Sequence, residues 1–160
     1  MSFPPPFRNF FHAGYVVRDM AKVMDDMRDR FGVAKWKVLP LPEGSPASAL
    51  GFAYVGETMI ELVEVDPNGD LLPIHRGWVP DAAAGARLNH MAYFVDSDDE
   101  LSALIGRFEA SGVATARLEG FGDIFTRYYY ADTVAQLGHY TEFVCLGPGG
   151  RDFLASVPRN

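Results

Sequence analysis

Two histidines and two glutamates occupy matched places in this chain and are the side chains best suited to chemistry. His12-Ala13-Gly14-Tyr15-Val16-Val17 is echoed 78 residues later by His90-Met91-Ala92-Tyr93-Phe94-Val95. Ile60-Glu61-Leu62-Val63 is echoed 81 residues later by Thr141-Glu142-Phe143-Val144. Imidazole nitrogen and carboxylate oxygen together suit zinc, nickel, cobalt, manganese or iron as a divalent ion, and the ligand set alone does not choose among them. Two carboxylates buried without a cation would be costly, and a divalent ion removes that cost. An ion held this way polarises a substrate carbonyl and acidifies the neighbouring C–H, and a carboxylate beside it can then move the proton. His12, Glu61, His90 and Glu142 are therefore the predicted metal ligands. Glu142 is the leading base and Glu61 the second candidate.

Strands must position these groups, because strand side chains alternate between faces. In the first strand His12, Gly14 and Val16 share one face, opposite Phe11, Ala13, Tyr15 and Val17. In the strand that carries Glu61, that residue shares a face with Val63 and Val65, opposite Ile60 and Leu62. His90, Ala92 and Phe94 oppose Met91, Tyr93 and Val95, and Tyr140, Glu142 and Val144 oppose Phe143 and Cys145. One face of each strand thus suits packing beneath an amphipathic helix. A concave sheet would bring the four polar groups on the other face together, with small Gly14 and Ala92 leaving room beside the histidines.

The predicted elements run in a repeated order. A strand at 10–17 precedes a helix whose apolar stripe is Met20, Val23, Met24, Met27 and Phe31, closed by Gly32. Strands follow at 34–39, 49–55 and 58–65, the last two as a hairpin around Gly56-Glu57. After a long connection at 66–88, a strand at 89–95 leads into a helix that begins with the capping-box spacing Ser97-x-x-Glu100. Leu101, Leu104, Ile105 and Phe108 form its apolar face, and Gly112 ends it. Strands at 113–117, 125–131 and 140–146 complete the second set. Gly32-Val33 matches Gly112-Val113 at a shift of 80, so the offset is nearly constant along the half. This is the signature of a duplicated βαβββ unit in an α+β fold. The domain organisation follows: an arm at 1–9, one domain at 10–147 made of modules 10–65 and 89–147, and a tail at 148–160.

Composition narrows the function. The 160-residue chain has 14 Lys and Arg against 21 Asp and Glu, a net charge of −7. Its few basic residues are scattered, which argues against a nucleic-acid partner. No apolar run approaches the roughly 18 residues of a membrane span, and the N-terminal sequence lacks the pattern of a secretory signal. Cys145 is the single cysteine, so a disulfide framework is excluded and a cytoplasmic setting is favoured.

Other polar residues read differently. Glu64 faces away from Glu61 and reads as structural or exposed. His75 in the long loop reads as solvated. His139 has the wrong parity for a ligand but suits a rim role in substrate binding. Tyr128 and Tyr130 are candidates to line the site, as is Trp78 of the loop. Arg76, Arg87, Arg117 and Arg127 are candidates for an anionic group by position alone. Cys145 should be inert on the helix-packed face.

The four motifs resemble those of the vicinal oxygen chelate superfamily (glyoxalase, bleomycin resistance and dioxygenase proteins), most closely the glyoxalase I and methylmalonyl-CoA epimerase branch. His12-Ala-Gly-Tyr-Val-Val is similar to that family's first-strand motif, Met59-Ile60-Glu61-Leu62 to its fourth, Asn89-His90-Met91-Ala92 to its fifth and Tyr140-Thr141-Glu142-Phe143 to its eighth. The resemblance covers roughly residues 10–147 and implies two tandem βαβββ modules, curving as one mixed sheet around a metal-containing cup with helices outside. It implies a metal-dependent isomerase, epimerase or lyase acting by proton transfer next to a metal-bound carbonyl of a small molecule. The alternatives are an Fe(II)-dependent ring-cleaving dioxygenase, which Glu61 as a fourth ligand and the short chain disfavour, and a drug-resistance or small-molecule binding protein. A homodimer is expected as well, since two-module sheets of this family commonly pair and unpaired edges are a liability. Leu71, Leu72, Ile74 and Trp78 would supply its apolar surface.

Overall fold

The computed structural model describes residues 6–160, apart from the side chains of residues 115 and 117–120. The first five residues of the expected arm and the Arg117 side chain lie outside the described residues. The chain divides into two compact units. The first half comprises 12–89 with 155–160, and the second comprises the N-terminal segment through Phe11 with 90–154. Each half contains one βαβββ module, and the fold class is α+β as the sequence predicts.

In the first half, β1 (Phe10–Val17) leads into α1 (Met20–Phe31), followed by β2 (Lys37–Pro40), β3 (Ala49–Val55) and β4 (Thr58–Glu64). The sheet order is β2-β3-β4-β1. The three later strands form an antiparallel meander, and β1 returns parallel to β4. Gly56 at φ 59 starts the two-residue turn between β3 and β4, a conformation that favours glycine. The Asp19 carboxylate caps α1 by accepting from the Lys22 amide at 2.9 Å. Gly32 closes the helix in the left-handed conformation at φ 73. Met20, Val23, Met24 and Met27 pack on Tyr15, Val17, Ile60 and Leu62, the strand face assigned to the helix. Phe31, at the end of the same stripe, is 71% exposed.

The second half repeats the pattern with β5 (Ala86–Val95), α2 (Asp98–Ala110), β6 (Thr115–Phe121), β7 (Phe125–Ala131) and β8 (Tyr140–Leu146), in sheet order β5-β8-β7-β6. The Ser97 hydroxyl accepts from the Glu100 amide at 3.1 Å, as the capping box requires. The Glu100 carboxylate reaches one residue further back than expected, to the Asp96 amide at 2.8 Å. Leu101, Leu104 and Ile105 pack against Val95, Tyr129, Phe143 and Cys145. A single turn of helix, α3 (Val134–Leu137), precedes β8.

Several boundaries depart from the sequence reading, each for a local reason. The strand expected at 34–39 starts at Lys37, because the Ala34 and Lys35 amides donate to the Asn160 side chain at 2.9 and 2.8 Å. The segment at 148–160 contains α4 (Gly150–Ser156), whose Phe153 is buried and meets Phe125 edge-on. The connection between β4 and β5 is shorter than expected, since β5 begins at Ala86. Phe11 also breaks the expected alternation. Its ring stacks on Phe94 at 4.2 Å, on the His90 side of β5.

Candidate functional site

The structure gives each half its own histidine–glutamate pair. In the first half, Gly14 of β1 is registered beside Glu61 of β4, and His12 lies two residues before Gly14 on the same face. The His12 Nε2 and Glu61 Oε2 atoms are 3.1 Å apart. In the second half, Ala92 of β5 is registered beside Glu142 of β8, and His90 lies two residues before Ala92. The His90 Nε2 and Glu142 Oε2 atoms are 3.5 Å apart. All four side chains are buried, His90 completely. Parallel pairing of the two strands and small residues beside the carboxylates therefore build the same corner twice.

The surroundings of the two pairs differ. Beside Glu61 the hairpin places Phe52, which is buried, and beyond it Leu50 faces Val63. Val16, Val63 and Val65, on the Glu61 face, are covered by Leu41, Leu50, Leu71, Trp78 and Val79. Beside Glu142, β7 places Tyr130, with Tyr128 facing Val144. The Tyr130 ring meets His90 edge-on with centroids 5.2 Å apart, and Tyr128 meets Tyr130 at 6.2 Å.

The remaining candidates fall elsewhere. His139 is half-buried at the head of β8, with Nδ1 2.7 Å from the Tyr140 carbonyl oxygen. Its own carbonyl accepts from the Thr133 hydroxyl, which also meets the Thr141 hydroxyl at 2.8 Å. Trp78 packs inside the first half beneath the Arg87 guanidinium, 4.6 Å above its ring. Arg87 donates to the Gly77 carbonyl, Arg76 to the Leu71 carbonyl and Arg127 to the Ser102 hydroxyl, so these three cations serve the loop and the helix face.

His75 corrects the sequence reading: it is buried, not solvated. Loop 66–85 folds into short turns, and the fully buried Asn89 holds them by donating to the Ile74 carbonyl at 2.8 Å. Ile74 is buried by the same packing, so it and Trp78 do not form the open apolar surface expected of them. Glu64 is structural, as expected. It accepts from the Met20 amide at the start of α1 and from the Ser48 hydroxyl, each at 2.8 Å. Cys145 is buried, and that burial pushes its thiol pKa up, which fits an inert residue.

The reading by face found the histidines and glutamates but missed Phe52 and Asn89. Phe52 was within reach, since a two-residue turn at Gly56-Glu57 fixes the pairing that sets it beside Glu61. Nothing local marks Asn89, whose partner lies in an irregular loop.

The donor chemistry fits a divalent ion. His12 in the first half, and His90 and Glu142 in the second, each offer one buried ligand atom, and Glu61 is a second buried carboxylate. Among the described residues no helix is long and apolar enough to cross a membrane.

A family model described as the glyoxalase/bleomycin resistance protein/dioxygenase superfamily matches residues 11–128. Solved structures share the fold at low identity. A methylmalonyl-CoA epimerase from Mycobacterium tuberculosis is 16% identical with a TM-score of 0.60, covering 98% of this chain and 97% of its own. A Streptomyces coelicolor methylmalonyl-CoA epimerase variant in complex with 2-nitronate-propionyl-CoA is 17% identical with a TM-score of 0.60, covering 86% and 96%. No curated protein sequence matches the chain.

Proposed function

Because the chain belongs to the glyoxalase/bleomycin resistance protein/dioxygenase superfamily, we propose that it is a metal-dependent isomerase, epimerase or lyase acting on a small carbonyl compound by proton transfer. The observation that carries this reading is the repeated corner. A buried histidine, a small residue and a buried glutamate recur in one register in both halves. Structures of methylmalonyl-CoA epimerases with the same fold support proton transfer as the reaction type.

In this proposal His12, Glu61, His90 and Glu142 hold one divalent ion. Bound there, the ion would draw electron density from the substrate carbonyl and lower the cost of removing the adjacent proton. The Glu142 carboxylate takes that proton, and the C–H electron pair moves onto the carbonyl oxygen to give an enolate. Delivery of a different proton to the same carbon from its other face, by Glu61 in its protonated form, inverts the centre; Glu142 ends protonated and Glu61 ionised, and exchange with solvent resets both. In an α-hydroxycarbonyl compound, delivery of a proton to the former carbonyl carbon, with the hydroxyl proton passing to the former carbonyl oxygen, isomerises the compound. Gly14 and Ala92 leave space beside the carboxylates for the substrate.

Elemental analysis of the wild type and of the His12→Ala, Glu61→Ala, His90→Ala and Glu142→Ala proteins tests the site. One ion per chain is expected in the wild type, with occupancy lost in both histidine variants. Full occupancy in both would remove the assignment.

A homodimer in the cytoplasm completes the proposal. The free thiol of Cys145 supports the reducing compartment. The surface that supports pairing is Phe31, Val38 and Val55, each exposed on the first half. Sedimentation should give about 35 kDa, twice the 17.6 kDa chain mass. A species at the chain mass would count against pairing.

A further inference from the structure

We infer that the first half presents a two-fold docking face for a second copy of this chain, in which Phe31 of each protomer enters the apolar cavity beside α1 of the other and covers Tyr15. The inference deepens the homodimer proposed above and rests on that reading. It comes from comparing the helix-packed faces of the two modules. In the second half Tyr93 is covered by the chain itself: Phe7 and Phe10 meet its ring edge-on at 5.4 and 5.6 Å. Tyr15 is the equivalent residue, 78 positions earlier, and the same shift puts Gly85 and Leu88 in the places of Phe7 and Phe10. Gly85 has no ring to lay over Tyr15, and a Cβ at that position would find Val23 Cγ2 as its nearest neighbour, at 3.9 Å. Leu62 likewise stands where the second half has the larger Phe143. The result is a cavity of about 360 Å³, lined by Tyr15, Val23 and Leu62 among others. Since aromatic rings cover the equivalent tyrosine in the repeat, an aromatic ring is the chemistry that suits this one.

Phe31 supplies such a ring. It is the last residue of α1, at the end of a stripe whose Met20, Val23, Met24 and Met27 pack on the sheet, yet it is 71% exposed. Phe31 and Val55, both exposed, line the cavity and so mark its mouth. Exposed apolar side chains grouped in this way are the mark of an interaction site. In a two-fold contact the same patch serves both chains, so a ring at one mouth meets the mouth of the other. The space admits a phenyl group, since a cavity of about 150 Å³ already holds benzene. The charge around the mouth permits the contact. Lys22, Arg28 and Arg30 of α1 stand against Asp25, Asp26 and Asp29. Arg28 pairs with Asp25 and Asp29 at 2.6 and 2.8 Å, and Arg30 with Asp26 at 3.6 Å. A helix balanced in this way meets its own copy without gathering like charge.

The test is sedimentation equilibrium of the full-length protein, read as the dimer dissociation constant. Phe31→Ser removes the ring from an exposed site and should weaken the dimer by roughly 100-fold or more, the loss expected when both protomers give up an aromatic anchor. Leu62→Phe puts into the cavity the ring that Phe143 provides in the second half, while Phe31 and the outer surface stay as they are. It should weaken the dimer roughly 10-fold with an unchanged circular dichroism spectrum. Ile60→Phe fills the same cavity from β4 and carries the same expectation, so a folding defect in one variant leaves the other to decide. Leu137→Ser is the control, because it removes an exposed leucine from α3 of the second half. It should leave the dimer as in the wild type. An undiminished dimer in Phe31→Ser or in a folded cavity-filling variant, or equal weakening by Leu137→Ser, overturns the docking of Phe31 and leaves the homodimer reading standing. A wild type that stays at 17.6 kDa overturns both. If that monomer binds anilinonaphthalene sulfonate and Leu62→Phe does not, the cavity belongs to a small apolar ligand instead.

Discussion

The two halves share a plan and differ in what surrounds it. Each sets a histidine two residues before a small residue, and that residue beside a glutamate on the parallel neighbouring strand. On the helix side the halves diverge. The second half fills the space between α2 and its sheet with Phe108, Tyr129 and Phe143, and its Tyr93 is further covered by Phe7 and Phe10. The first half uses methionines there and leaves an apolar cavity of about 360 Å³, lined by Tyr15, Val23, Met27, Ile60 and Leu62 among others. Gly85 and Leu88 stand where the repeat would place Phe7 and Phe10. The polar corner has thus stayed constant while packing around it has drifted. That is expected when several apolar combinations can fill a core but only one geometry can hold a ligand set.

The largest effect should appear where the comparison bears on chemistry. The proposed reaction makes Glu142 the base and Glu61, in its protonated form, the group that delivers a proton from the other face. Glu142→Gln should then slow exchange of the substrate α-proton with deuterated solvent by about 10²- to 10⁴-fold, the usual contribution of a placed base. Glu61→Gln should affect exchange less and inversion or isomerisation more. Equal loss of exchange in the two variants would show that the halves act symmetrically. Undiminished turnover in both would remove the base assignment.

Much of this was legible beforehand because it depends on period and spacing. Strand alternation set His12 and Glu61 on the face away from Leu62, and His90 and Glu142 on the face away from Phe143, and the helix contacts agree. The capping box Ser97-x-x-Glu100 fixed the start of α2. What escaped depends on contacts distant in sequence. Asn160 takes the amides that would have begun β2 earlier. The short α4 carries too few apolar residues for a periodic signal, and its burial comes from Phe125. His75 is polar and flanked by loop residues, so only the folded turns around it reveal its burial. Tyr130 and Phe52 illustrate the middle ground: their types were visible, but their equivalence depended on strand register.

An intermediate effect should distinguish the two cores. Phe143 and Leu62 are equivalent, and both are almost fully buried. Phe143→Ala empties a packed aromatic cluster and should cost about 4 kcal/mol, within the range for large-to-small core changes. Leu62→Ala only enlarges a cavity that already exists, so about 2 kcal/mol is expected, at the lower end of that range. Urea unfolding of both variants, with unchanged slopes, measures the difference. Equal losses would mean that the cavity is closed in solution.

The smallest effect concerns how each helix start is stabilised. The first turn of α2 contains Asp98, Asp99 and Glu100, acidic groups that suit the positive end of a helix dipole. The first turn of α1 has no acidic residue. Besides the Asp19 cap, compensation comes from the sheet: Glu64 on β4 accepts from the Met20 amide and also ties down Ser48. The equivalent place in the second half is Cys145, which needs no charge because α2 supplies its own. Glu64→Gln keeps the length and one acceptor oxygen but removes the negative charge. It should cost about 0.5–1 kcal/mol at low salt, the usual worth of a charge at a helix end. For a chain of this size that loss lowers the melting temperature by roughly 1–4 °C. The deficit should shrink between low salt and about 1 M salt, where the screening length falls to about 3 Å. Cys145→Ala loses only buried sulfur, so its destabilisation should not shrink in the same way. A Glu64→Gln deficit that persists at high salt would assign the stabilisation to hydrogen-bond geometry instead of charge.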